Sequence, residues 1–177
     1  WDSVKGKIKL KEAKSFLDFE DQNIERNFIE SLLDAIGSKG TIFAHSASTE
    51  ISTLQRLLKK DNLKNLSDKI TKLIDRVVDT KKIVRENFYS PLMNGSSSIK
   101  EVVKAIPGDI VYNKDDSMAG GADAMLAWFL YTDSKTSKEE KNELKKNLIE
   151  YCSKDTLAIY HLIKYLLDQK NIKKKGA

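Results

Sequence analysis

Apolar positions along this chain fall mainly into helical spacing. Over residues 23–36 they recur at Ile24, Phe28, Ile29, Leu32, Leu33 and Ile36, three or four apart, which predicts an amphipathic helix that Gly37 and Gly40 stop. Residues 49–60 repeat the pattern with Ile51, Leu54, Leu57 and Leu58, and a third helix carries Leu66, Ile70, Leu73 and Ile74. Two short apolar runs, 15–20 and 41–44, read as buried strands. Residues 74–80 read both ways, because Val77 and Val78 favour a strand while their flanks favour a helix. Further on, the serines of 94–98 can cap a helix that starts near Ile99 and ends at Pro107 and Gly108. Met118, Ala119, Gly120 and Gly121 lead into a helix over 122–131, whose small residues suit close approach to a sheet. After a polar loop over 132–136, Ser137 and Glu140 stand at capping-box spacing, and helices run from Lys138 to about Lys170. There is no internal repeat. Strands alternating with helices predict an α/β fold.

Composition narrows the class. A chain of 177 residues, 40% hydrophobic and 32% charged, fits one soluble globular domain. Residues 1–14 read as a lysine-rich linker or short helix, 15–170 as the domain, and 171–177 as a solvated basic tail. No apolar run approaches the roughly 20 residues that cross a bilayer, so no membrane partner is expected. Net charge of +5 tolerates a polyanionic partner without demanding one. The single cysteine, Cys152, excludes an intrachain disulfide and suits a reducing cytoplasm. No signal peptide is visible, and a start at Trp1 rather than methionine suggests that the natural N-terminus lies upstream.

Chemistry concentrates in three short pieces: Phe16 to Glu20, Ser46 to Glu50, and Tyr151 to Thr156. On a strand, Asp18 and Glu20 are two apart and face one side, while Leu17 and Phe19 face the other. On a helix, Tyr151 and Asp155 are four apart and share a face. Carboxylates that must share a small space are costly unless cations neutralise them. Hard divalent ions prefer such oxygen ligands, and a pair of them can activate water and neutralise a leaving oxygen in phosphodiester hydrolysis. Tyr151 could then position, or help deprotonate, the attacking water.

These pieces resemble the motifs of the DEDD (DnaQ-like) 3′–5′ exonucleases, a superfamily with a ribonuclease H-like fold. Its first motif is Asp-x-Glu on a strand, like Asp18 and Glu20; its third, in the tyrosine branch, is Tyr-x-x-x-Asp, like Tyr151 to Asp155. The histidine branch would place histidine where this chain has Glu150. Within the superfamily the chain is most similar to an uncharacterised bacterial domain family often found downstream of a RecB-like nuclease segment. Phe16 to Glu20, Ile74 to Asp79, Asn94 to Lys100 and Glu150 to Ala158 carry that resemblance, over roughly residues 14–167. That family's second motif, Asn-x-x-Phe-Glu, matches Ser46 to Glu50 with Ser46 and Thr49 substituted.

The resemblance implies a mixed sheet flanked by helices, two Mg²⁺ or Mn²⁺ ions, and DNA or RNA with a 3′ end as substrate. It implies that Asp18 bridges both ions, that Glu20 and Asp155 complete one site, that Glu50 serves the second ion and that Tyr151 positions the nucleophile. A longer polypeptide with another nuclease domain is also implied. Two strands of the usual sheet are missing after Gln22, since only Asp21 and Gln22 separate Glu20 from the helix at Asn23. The rival reading is a catalytically weak, nuclease-like module that binds nucleic acid or a partner nuclease. Plain structural roles compete at other positions: capping or pairing with Arg76 for Asp75 and Asp79, packing for His45, His161 and Cys152, and solvation for Lys100 and Arg76.

Overall fold

The computed structural model describes residues 2–4, 7–9, 13–19, 22–112 and 121–175, the side chains of 2–4, 7–9 and 170–175 excepted. The chain forms two compact units, one of Trp1–Phe19 with Pro91–Ala177 and one of Glu20–Ser90. The described residues are mostly helical, with two two-stranded sheets, so the fold is mixed α/β.

In the Glu20–Ser90 unit, α1 spans Ile24–Ile36, α2 Ser48–Leu57, α3 Ser67–Ile74 and α4 Thr80–Asn87. Their apolar stripes converge on one core of Ile29, Leu54, Leu57, Leu63, Leu66, Ile70 and Leu73, with Phe28, Leu32 and Leu33 packed against it. The ambiguous segment resolves as a strand. Ile42–Ala44 pairs with Val77–Asp79 in parallel, in the register Ile42 to Val77 and Ala44 to Asp79. Parallel strands need a crossover of a dozen or more residues, which α2 and α3 supply. Arg76, one residue before that second strand, donates to the carbonyls of Gly37, Lys39 and Gly40 at 2.6–2.7 Å. Those bonds tie the turn after α1 to the strand.

In the other unit, Asp2–Val4 (β1) pairs antiparallel with Lys7–Lys9 (β2), Ser3 opposite Ile8. This corrects the linker or helix expected there; Lys7, Ile8 and Lys9 alternate with the strand period rather than the helical one. The pair in the middle of the chain is then β3 and β4. A second correction concerns the strand expected at 15–20: residues 13–19 are irregular, and Glu20 and Asp21 lie outside the described residues. Among the described residues Gln22 and Asn23 turn directly into α1, so the two strands that the resemblance would place after Gln22 are absent there. A four-residue helix, α5 (Ile99–Val102), and a short 3₁₀ turn precede Pro107. Helix α6 (Gly121–Thr132) packs on α7 (Lys138–Lys175), a helix rather than the sheet its small residues were expected to meet. The capping box at the head of α7 is present: the Ser137 amide and hydroxyl donate to the Glu140 carboxylate at 2.8 Å, and the Glu140 amide donates back to the Ser137 hydroxyl at 3.2 Å.

Candidate functional site

The inward stripe of α7 explains where its chemistry lies. Leu144, Leu148, Tyr151, Asp155, Ala158 and Leu162 follow one another at intervals of four and three, which keeps them on one face. Leu148, Ala158 and Leu162 are buried. Tyr151 and Asp155 interrupt this apolar face and are half-buried. A polar pair at core-facing positions departs from simple patterning, and such departures concentrate at functional sites.

The first motif is anchored on the same cluster. Leu17 and Phe19 pack against Ala127 and Leu148, as does Tyr151. The Phe19 ring stacks on Tyr131 with centroids 3.9 Å apart and lies 5.0 Å from Trp128. Asp18, between those two anchors, is half-buried. The apolar character of 17 and 19 therefore does place them in a core, by packing on helices rather than by membership of a sheet.

Tyr112 completes the surroundings of Asp155. Its hydroxyl donates to Asp155 Oδ1 at 2.7 Å. Its ring has Lys154 Nζ at 5.2 Å and Lys100 Nζ at 5.3 Å, and Lys100 also lies 5.6 Å from the Tyr151 ring. Burial, then the charge of Asp155 and hydrogen bonding to it, push the Tyr151 phenol up to about 12. Tyr151 is therefore a hydrogen-bond donor at neutral pH. Sequence reading missed Tyr112; it stands 43 residues from Asp155 in an irregular stretch, without periodicity or motif to mark it. Cys152 is exposed, not buried as expected. The shielding that its sulfur retains, and then the Asp155 charge, push its thiol up, which disfavours a thiolate nucleophile. His161 sits edge-on to Tyr160, and Gly108 approaches it so closely that a Cβ there would lie 2.9 Å from Nδ1, so its role is packing.

Of the five predicted site residues, Tyr151 and Asp155 are brought together, and Leu17 and Phe19, the neighbours of Asp18, pack in the cluster that holds Tyr151. Glu20 lies outside the described residues. Glu50 stands exposed in the first turn of α2, in the other unit. Among the described residues no group of three or more His, Cys, Asp or Glu side chains is placed to hold a metal ion.

The Glu20–Ser90 unit has its own polar knot where β3 and β4 end. Asp79 Oδ1 accepts from the amides of Ser46 and Lys81 at 2.9 Å, capping α4. Ser46 holds a left-handed backbone, φ 67°, to make its bond. Burial alone would raise the Asp79 carboxyl, but the amides of Ser46 and Lys81 outweigh it and hold it below the ordinary value. The Thr80 hydroxyl is wholly buried, donates to the Ala44 carbonyl at 3.0 Å and lies 2.9 Å from His45 Nδ1. Asp79 and His45 thus have structural roles, and Asp75 and Asp79 do not share a helical face.

Residues 3–98 match the model of a family described as a domain of unknown function, DUF2779. The chain belongs to the DUF2779 family. The match runs from β1 to the loop before α5, and so takes in Asp18, Glu20 and Glu50 but not Tyr151 or Asp155. No curated protein and no solved structure matches the chain. No described helix is long and apolar enough to cross a membrane.

Proposed function

We propose that this DUF2779 protein is a metal-dependent 3′–5′ exonuclease of the tyrosine branch, with a ribonuclease H-like fold, acting on DNA or RNA 3′ ends in the cytoplasm. The observation that carries the reading is the shared anchorage of its first and third motifs. Leu17 and Phe19, either side of Asp18, and Tyr151, one turn before Asp155, all pack on the cluster of Ala127 and Leu148.

The donor set of Asp18, Glu20, Glu50 and Asp155 suits Mg²⁺ or Mn²⁺ in kind, being oxygen throughout. When bound, such ions supply an activated water and neutralise charge on the scissile phosphate. The protein's own contributions are more local. Tyr151 keeps its proton and offers it as a hydrogen bond, so it orients rather than deprotonates. Tyr112 fixes the rotamer of Asp155. Lys100 and Lys154 bring two positive charges beside that carboxylate's aromatic surround, where a phosphate would benefit from them.

One observation favours the alternative, a nuclease-like module that binds nucleic acid or a partner nuclease. Tyr112 already occupies an oxygen of Asp155. Hydrolysis of 3′- and 5′-labelled single-stranded DNA and RNA, with Mg²⁺ or Mn²⁺ and beside Asp18→Asn, separates the two. Metal-dependent loss of the 3′ label, with a shortening ladder from the 5′ label and none in the variant, is the expected result. Absence of cleavage together with no metal-induced rise in unfolding temperature overturns the exonuclease reading and leaves the binding module.

A further inference from the structure

A cleft of about 490 Å³ opens at the carboxyl ends of the parallel strands β3 and β4, lined by Ser46, Asp79, Lys81, Lys82, Arg85 and Glu86. Its size falls within the range of roughly 300–1,000 Å³ common to ligand sites. The crevice beyond the carboxyl ends of parallel strands is where open α/β sheets bind ligands.

Its charge is organised. Three cations, Lys81, Lys82 and Arg85, come from α4. That helix is locked in place by the wholly buried Thr80 and Val84, which fixes the angular setting of the cationic positions. Among the described residues no carboxylate forms an ion pair with any of the three, whereas Arg26, Arg56, Lys60 and Lys104 all have such partners. Two carboxylates share the cleft, but that of Asp79 is engaged by the backbone amides of Ser46 and Lys81. Glu86 is exposed at the rim. Lys82 and Arg85 are exposed and Lys81 is half-buried, so all three cations can reach a polyanion at the cleft mouth.

We propose that this cleft is a docking site for the phosphodiester backbone of a single nucleic-acid strand, gripped by Lys81, Lys82 and Arg85. The cleft belongs to the Glu20–Ser90 unit, whereas Asp18, Tyr151 and Asp155 belong to the other. It rests on the exonuclease reading only for the class of ligand, because backbone binding needs neither metal nor hydrolysis. A cleft without base-stacking aromatics among its lining residues would read charge rather than sequence.

The test is equilibrium binding of a fluorescent single-stranded oligonucleotide to the full chain, in EDTA, across a salt series. The comparison is between wild type, the triple variant Lys81→Gln/Lys82→Gln/Arg85→Gln, and an equally discharged control, Lys64→Gln/Lys69→Gln/Lys72→Gln. Single strands lose about 0.7 in the slope of log K against log salt per phosphate contact, so three lost contacts lower its magnitude by about 2 and weaken binding roughly 10- to 100-fold at 0.1 M salt. The control should keep nearly all of the affinity. Equal losses in both variants would show a response to net charge alone and overturn the site, as would a wild type that fails to bind. Inorganic phosphate displacing the oligonucleotide at millimolar concentration would identify a lone-phosphate site and overturn the strand assignment. Binding that persists while hydrolysis is absent upholds this site and sinks only the exonuclease reading.

Discussion

Removing one oxygen tests the arrangement around Asp155. Tyr112→Phe deletes the hydroxyl that donates to Asp155 Oδ1 at 2.7 Å and keeps the ring beside Lys100 and Lys154. A hydrogen bond to a charged group contributes about 1.5–3 kcal/mol when well shielded. Both partners here are only half-buried, so water can re-solvate the carboxylate in the variant and the lower end applies. No cavity opens, because a single oxygen at the ring edge is lost. The expected destabilisation is about 1–1.5 kcal/mol. Asp155→Asn should cost a comparable amount, since it loses the charge on the same bond. The double variant should then cost less than the sum, with a coupling of about 1 kcal/mol. Urea unfolding followed by circular dichroism measures all four corners of the cycle. Strict additivity, within about 0.3 kcal/mol, would refute the reasoning, because it would mean that the two side chains do not meet in solution.

Two further outcomes follow from the polar knot at the ends of β3 and β4. Thr80→Val keeps the shape of a wholly buried side chain but strands the Ala44 carbonyl and removes the oxygen 2.9 Å from His45 Nδ1, so unfolding should become easier by about 1–3 kcal/mol, read by thermal denaturation. Asp79 has its folded pKa held below the ordinary 3.8, so the stability it contributes is fully present above that value and is lost as pH falls through the folded one. The stability gap between wild type and Asp79→Asn should therefore be constant near neutrality and close on acidification below about pH 4; a gap that widens in acid would show that the sign is wrong.

What could be read from the sequence depended on how many residues carried each signal. Helices α1, α2 and α3 each present several apolar residues at spacing three and four, and most of those stripes meet in the observed core, which adds Leu63 and leaves out Ile24 and Ile51. The Ser137 and Glu140 pair is a local chemical signature and needs no context. Strands of three residues are too short to display a period, which is why the segment of β4 reads both ways and why neither β1 nor the lysine-flanked Ile8 of β2 reads as a strand. Leu17 and Phe19 imitate a buried strand because packing on helices and pairing in a sheet select the same apolar residues. Arg76 looks like a surface cation until its three carbonyl partners, 36 to 39 residues away, are seen. Tyr112 belongs with it: a role defined by tertiary contact leaves no trace in spacing.

The protonation of Tyr151 constrains any hydrolytic role more tightly than the motif does. With its phenol pushed up to about 12, Tyr151 holds its proton at neutral pH. A general base works best with a pKa near the operating pH, so this phenol is poorly matched to taking a proton from water. It is well matched to giving a hydrogen bond. Asp155 is in the complementary position, a carboxylate with Tyr112 and Tyr151 both directing protons at it. On the exonuclease reading, any cation reaching Asp155 must therefore compete with phenol donors for its oxygens. The Tyr151 ring is held by the Leu148 cluster of α7. On that reading Tyr151 would remain the fixed hydrogen-bond donor, and ions held by Asp18, Glu20, Glu50 and Asp155 would supply the acidified water.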